Sequence, residues 1–262
     1  MINVAVAGAM GRMGREVCKA VLGDPELELA GAIDTAAAGL KSPPVVENTQ
    51  TVVKADMSSL SADDIDVLVD FTDAEAAVRN IEWALQNGIN AVVGTTGIPT
   101  LELKRIARMA ESGDSNVLIV SNFALGAALM MKFSEMAARV FDQCEIIELH
   151  HRGKRDAPSG TAIATAELVA GAIKEDEPLR PVESVVTGSR GGDIGPVRIH
   201  SVRLDGLVAH QEVLFGSQGQ TLSIRHDTTD RTCFMPGVLL AVKVVKGLPP
   251  GMTVGLETLL DL

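Results

Sequence analysis

The chain has 262 residues, 46% hydrophobic and 22% charged, with a formal net charge of -11, so it can bury an ordinary globular core and spans about two domains at roughly 150 residues each. Its acidity, with a pI near 4.9, excludes the extended basic surface that a nucleic-acid backbone or an anionic membrane requires. Cys18, Cys144 and Cys233 are too scattered for a disulfide framework or a structural zinc site, so they read as thiols of a reducing compartment and no metal is expected. The start "MINVAVAGAM" shows no basic leader, and no run reaches the 18 or so apolar residues of a membrane span; the expected location is the cytoplasm.

In chain order, "INVAVAG" reads as a strand, followed by a helix from Gly11 to about Leu22, the strand "LELAGAID", the strand "IDVLVDFT" and a helix over Ala74 to Gln86. The strand "INAVVGTT", a helix over Leu101 to Ala110 and the strand "NVLIVSNF" continue the alternation. Strands this uniformly apolar, alternating with helices, predict an α/β domain with a doubly wound parallel sheet of Rossmann type. After about Phe123 the grammar changes. A helix over Leu125 to Val140, the strand "CEIIELHH" and a helix after Thr161 precede "VRIHSVRL", "LVAHQEVLFG" and "TLSIRH", with a hairpin turn in Gly216 to Gly219. Strands joined by tight Gly-containing turns predict an α+β domain with a mostly antiparallel sheet. The last stretch, "FMPGVLLAVKVVKGLPPG", reads as a helix opened by Pro236 and stopped by Gly247. The expected boundaries are a dinucleotide-binding domain over 1–122, to which 235–262 returns, and a substrate and oligomerisation domain over 123–234.

Chemistry concentrates at two places. "VAVAGAMGRMGREV" puts Gly8, Gly11 and Gly14 between the first strand and the first helix, where a pyrophosphate can approach the backbone and meet free amides at a helix N-terminus. Met10 stands where the common fingerprint has its second glycine. Asp34, twenty residues beyond Gly14, is placed to bind the adenosine ribose hydroxyls and would repel a 2′-phosphate. Thr35 follows it, and Arg12, Arg15 or Lys41 could supply a cation. The strand-end loops "GTTG" at Gly94 to Gly97, "SNFA" at Ser121 to Ala124 and "DFT" at Asp70 to Thr72 could line the rest of the cleft, or Asp70 could merely satisfy local amides.

The second place is "HHRGKRDAPSGTA", His150 to Ala162. Ser159, Gly160 and Thr161 open a helix and offer a carboxylate site, to which Lys154 adds a full charge. His150 or His151 could give the proton that hydride transfer requires. Arg152 and Arg155 read as surface or cofactor-phosphate cations, Ser159 lacks a nucleophile elbow, and Lys154 as a Schiff-base lysine would leave the nucleotide cradle unexplained. His200, His210 and His226 read as sheet or interface residues.

"EIIELHHRGKRDAPSGTA", with "VAGAMGRMG", "VDFT", "VVGTTG" and "SNFALG", closely resembles the 4-hydroxy-tetrahydrodipicolinate reductase (dihydrodipicolinate reductase) family over essentially the whole chain. The resemblance implies reduction by NADH or NADPH of a small cyclic dicarboxylate, the product of pyruvate and aspartate semialdehyde, to tetrahydrodipicolinate with loss of water, in diaminopimelate and lysine biosynthesis. It further implies that Gly8, Ala9, Met10, Gly11, Arg12 and Met13 contact the cofactor phosphates and Asp34 the ribose. Gly94, Thr95, Thr96, Ser121, Asn122, Phe123 and Ala124 then contact the rest of the cofactor. His150 is implied as proton donor and acceptor, Lys154 as second catalytic donor, and His151, Gly160 and Thr161 as substrate contacts. A homotetramer built through the second domain's sheet and a hinge between domains are also implied. This chain departs from some relatives in having Asp34-Thr35 for an acidic-Arg pair and "RLDGLVAHQ", Arg203 to Gln211, for "RAGDIVGEH". Another amino-acid-type dehydrogenase, a nucleotide-sensing protein without catalysis and a Schiff-base lyase are the competing readings.

Overall fold

The computed structural model describes residues 1–40, 51–173 and 185–260. It divides into two compact units, one of Met1–Phe123 with Phe234–Asp261 and one centred on Ala124–Cys233.

The first unit is built on six parallel strands, β1 (Ile2–Ala7), β2 (Leu27–Ile33), β3 (Val67–Asp70), β4 (Asn90–Val93), β5 (Val117–Ile119) and β11 (Met252–Val254), in the order β11-β5-β4-β3-β1-β2. The last four residues of β1 and all of β3 and β4 are buried, as strands covered on both faces must be. Helices α2 (Ala74–Gln86) and α3 (Thr100–Glu111) cover one face, setting Ile81, Ala84, Ile106 and Ala110 against Ala5, Ala7, Leu68 and Val93. Helix α1 (Arg12–Gly23) packs beside α6 (Met235–Val244). The C-terminal segment is held by Asn116, whose Nδ2 donates to the Val245 and Leu248 carbonyls at 3.1 and 3.0 Å. Strand order reverses between β2 and β3 on either side of β1, so the loop after β1 lies at the switch point where such sheets bind ligands.

The second unit carries a sheet of five strands, β6 (Gln143–His150), β7 (Gly192–Ile194), β8 (Val197–Arg203), β9 (Ala209–Ser217) and β10 (Gln220–Thr228), in the order β10-β9-β6-β8-β7. Only the β6–β8 pair is parallel, in keeping with the predicted mostly antiparallel sheet. Helices α4 (Leu125–Ala138) and α5 (Gly160–Ala172) pack on one face. The register lines up whole rows there: Leu222, Phe215, Cys144 and Val197 in one, then Ile224, Val213, Ile146 and Ile199 in the next. Beyond these apolar rows the same face turns polar, with His226, Gln211, Glu148 and Ser201 in the third row and Thr228, Ala209, His150 and Arg203 in the fourth. Position along β6 thus separates packing from chemistry.

Candidate active site

In the first unit the loop after β1 has the geometry of a phosphate cradle. Gly8 has φ +79°, and a Cβ there would stand 2.4 Å from the Phe71 carbonyl oxygen; one on Gly14 would stand 2.0 Å from the Gly8 carbonyl oxygen. Both positions therefore require glycine, and α1 starts close against the turn. Gly11 caps α1 without a side-chain bond, which leaves the first-turn amides for an anion. Asp34 closes the turn from β2: Oδ2 accepts from the Met10 amide at 2.8 Å and Oδ1 from the Ala36 amide at 2.9 Å. Its carboxylate still has lone pairs toward a cavity of about 830 Å³ lined by Gly8, Gly11, Asp34, Thr35, Thr72 and Arg79 among others. A cradle that a Cβ would fill, next to a carboxylate at a cavity of this size, fits a dinucleotide.

Of the candidate cations, Arg15 donates from Nε to the Met10 carbonyl at 2.9 Å and so belongs to the turn, Arg12 is exposed, and Lys41 lies outside the described residues. Arg79, which sequence reasoning missed, lines the cavity while paired to Glu75 at 2.6 Å.

The strand-end loops are tied together by Asp70. Fully buried, it accepts from the Thr72 amide and hydroxyl (3.1 and 2.8 Å), the Thr95 hydroxyl (2.7 Å) and the Asn80 amide nitrogen (2.7 Å). Asp70 is thus a joint between loops, and the Thr95 side chain is turned inward onto it, also accepting from the Thr72 amide at 2.8 Å. Thr96 and Ser121 are exposed, Asn122 half-buried, and Phe123 and Ala124 buried. Phe71 packs against Phe123 with the rings tilted by 49° and their centroids 5.5 Å apart; Gly94 gives the Phe71 ring its space, since a Cβ there would come within 2.1 Å of it.

In the second unit the cation-rich segment begins at the end of β6. His150 is its last residue, on the inner face beside Arg203; His151 stands past the strand end and is exposed. Strand periodicity thus separates the two histidines. His150 Nδ1 lies 2.5 Å from Glu148 Oε2, two residues back on the same face. Arg203 donates to both oxygens of Glu148, at 2.9 and 2.7 Å, and from the same Nη2 to the Asp156 carbonyl at 2.8 Å, which anchors the segment to β8. Burial alone would raise the Glu148 carboxyl, but hydrogen bonds from His150, Arg203 and Ser201 outweigh it and bring it down to about 2. Glu148 is therefore a carboxylate with no exposed surface, bridging a histidine and an arginine.

Lys154 pairs with Asp156 at 2.7 Å, and Lys154 holds that carboxyl below the usual range. Because Asp156 is exposed, such a pair contributes only about 0–1 kcal/mol, and an anionic ligand can exchange for it. Ser159 caps α5, its hydroxyl accepting from the Ala162 amide at 3.2 Å, while Gly160 is exposed and Thr161 half-buried at the first turn. Arg152 and Arg155 are exposed and make no ion pair among the described residues. The segment carries three cations and a helix N-terminus within thirteen residues of His150, and Arg203 of β8 binds both Glu148 beside that histidine and the Asp156 carbonyl, an arrangement suited to holding a dicarboxylate and passing it a proton. Thr165 and Gln211, both buried, sit beneath it, Gln211 Nε2 donating to Thr165 Oγ1 at 2.8 Å.

The remaining histidines stay in the sheet. His200 pairs with Glu145 at 2.7 Å, His210 with Asp227 at 2.7 Å, and the His226 ring lies against Gly126, where burial lowers its pKa. Among the described residues no cluster of three metal-ligating side chains occurs, and the Cys18 and Cys144 thiols are pushed up to about 12 by burial.

Glu148, Arg203 and Asp156 escaped the sequence reading. The period of two in "EIIELHH" could have placed Glu148 with His150, but the pairing of Arg203 depends on a register between strands separated by more than forty residues.

Comparison with known proteins covers both units. The family profile described as "Dihydrodipicolinate reductase, N-terminus" matches residues 2–123, and that described as "Dihydrodipicolinate reductase, C-terminus" matches residues 126–260. The chain is 49% identical over 255 residues to the 4-hydroxy-tetrahydrodipicolinate reductase of Syntrophomonas wolfei, covering 93% of each chain. It is 45% identical to that of Nocardia farcinica, covering 100% of this chain and 99% of the relative. The solved structure of a dipicolinate-bound dihydrodipicolinate reductase from Paenisporosarcina sp. superposes with a TM-score of 0.86 at 35% identity, covering 99% of this chain and 100% of that one.

Proposed function

This chain belongs to the dihydrodipicolinate reductase family, and on that premise we propose that His150 and Lys154 handle the protons in its reaction. The protein is an NAD(P)H-dependent oxidoreductase that reduces 4-hydroxy-tetrahydrodipicolinate to tetrahydrodipicolinate, releasing water, in diaminopimelate and lysine biosynthesis. The observation that carries the residue roles is the cation-rich segment between β6 and α5, where Arg203 ties Glu148, the partner of His150, to Asp156, the partner of Lys154.

The nicotinamide, when bound, supplies a hydride. Gly8 to Met13 hold the phosphates with first-turn amides and Asp34 accepts from the ribose hydroxyls, which favours NADH because a 2′-phosphate would meet its negative charge. Gly94, Thr95, Thr96 and Ser121 to Ala124 shape the remaining contact, Thr95 through its backbone since its hydroxyl is committed to Asp70. The substrate is a small cyclic dicarboxylate: Gly160 and Thr161 donate to a carboxylate at the α5 start, His151 assists, and Lys154 leaves Asp156 for the ligand. His150 then transfers a proton to the reduced ring. Hydrogen bonds to charged groups contribute about 1.5–3 kcal/mol each, enough to hold a dianion locally against the protein's net charge.

The outer face of the second unit's sheet supports a homotetramer. Ile147, Leu149, Val202 and Leu214 alternate out of the inner rows and remain partly exposed, a surface that another copy's sheet would cover. A cytoplasmic location accords with the three free thiols, and among the described residues no helix is long and apolar enough to cross a membrane.

Lys154→Ala should lower kcat about a hundred-fold or more while the NADH dissociation constant, read by calorimetric titration, stays unchanged. Undiminished turnover would remove Lys154 from the mechanism.

A further inference from the structure

A histidine that donates a proton can do so from either ring nitrogen, and the contacts of His150 single out one side of the ring. Nδ1 lies 2.5 Å from Glu148 Oε2; the imidazole is nearly buried, at 14% side-chain exposure, and the carboxylate has none. Glu148 is no ordinary core residue, since a lone carboxylate there would cost several kcal/mol. It is held by the fork of Arg203, a geometry that fixes a carboxylate plane as well as its charge. Glu148 begins the polar end of this face, where the apolar row of Ile224, Val213, Ile146 and Ile199 gives way to the row of His150 and Arg203, and its two carboxylate oxygens are engaged by those two residues.

We propose that Glu148 is the positioning residue of the proton-transfer group: by accepting the Nδ1–H of His150 it fixes the tautomer and ring orientation, so that Nε2 is the nitrogen that delivers and regains the proton, while Arg203 holds Glu148 in place. This rests on the reading of His150 as the donor.

Glu148 is the counter-charge beside the imidazolium that donates, and Arg203 holds that carboxylate in place. When Nε2 gives up its proton, the neutral ring retains Nδ1–H on Glu148, so the ring need not turn over between proton loss and recovery. Glu148 itself stays ionised, as its position well below the ordinary carboxylate range requires. Lys154, paired with Asp156 rather than with Glu148, belongs to a separate part of the segment. Glu145, the charged residue three positions earlier on β6, alternates to the other face, where it meets His200 and Arg190, and does not reach this pair.

The test compares wild type, Glu148→Gln and His150→Ala in the kcat–pH profile at saturating NADH and enzymatically prepared substrate, with NADH affinity measured separately. Glu148→Gln is expected to lower kcat about a hundred-fold and to move the alkaline limb about one pH unit downward, because the imidazolium loses its counter-charge, with NADH affinity within about twofold. An unmoved limb with kcat within about twofold of wild type overturns the proposal. His150→Ala tells the two readings apart: if it keeps wild-type turnover, His150 is not the donor and the premise itself fails. Should Glu148→Gln not fold, histidine ¹⁵N chemical shifts of the wild-type protein decide the matter. Protonated Nδ1 with bare Nε2 in the neutral state supports the proposal, and the opposite tautomer overturns it.

Discussion

Glu148 shows how much one buried side chain can couple. Its carboxyl sits at about 2 in the folded protein against an ordinary value of 4.5, so between those values the unfolded chain binds a proton that the folded one does not. The stabilisation is therefore complete above about pH 4.5 and lost as the pH falls toward 2, an amount on the order of 3 kcal/mol. Glu148→Gln forfeits it, and the stability gap between wild type and variant, measured by urea unfolding at pH 6, 4 and 3, should narrow as the solution becomes more acid; a gap that does not change with pH would show that Glu148 is not ionised in the fold. At this scale the sequence was legible where chemistry is local. His150, Lys154 and the Ser-Gly-Thr helix start stood out within thirteen residues, whereas the bond from the Met10 amide to Asp34, a residue expected at the adenosine ribose, had no signal in the spacing. Asp70 reads differently once Thr72, Thr95 and Asn80 are seen on it: two loops and helix α2 share one acceptor, and no spacing along the chain shows that.

Elements followed the same division. Helix α2 has the limits that its pattern predicts, Ala74–Gln86, because Asp73 caps it, accepting from the Glu75 and Ala76 amides at 3.1 and 3.0 Å, and Asn87 and Gly88 end it. The hairpin turn sits at Gln218-Gly219, within the expected stretch, where Gly219 takes φ +80°. Strands β7 and β11, three residues each, were missed, since no periodicity can show in so short a run and their pairing with β8 and β5 defines them. The α1 start is where an element most directly meets function. In Gly14→Ala the added Cβ would collide with the backbone of Gly8 and Ala9 and have to push α1 off the turn, costing about 1–3 kcal/mol. A lower melting temperature together with NADH binding weakened about ten-fold or more is expected; wild-type values for both would mean that the helix does not pack that closely.

On the scale of the whole molecule, the change of strand grammar near Phe123 was enough to foresee a parallel α/β unit and a mostly antiparallel one, because burial on both faces and burial on one leave different patterns in a sequence. Strand order and register were not foreseeable, as they join residues far apart in the chain, and with them went the Glu148–Arg203 pair. The net charge of -11 bears on the proposed site at this scale: with the substrate held by the cations between β6 and α5, repulsion of anions by the whole chain would favour a compact dianion there over extended polyanions. The most direct measurement follows nicotinamide absorbance while the purified protein receives substrate freshly made from pyruvate and aspartate semialdehyde by the preceding synthase, with NADH and with NADPH in parallel. The account predicts rapid oxidation that requires the synthase product, faster with NADH because of Asp34. Tight NADH binding with no substrate-dependent oxidation of either cofactor would contradict it and leave a nucleotide sensor in place of a reductase.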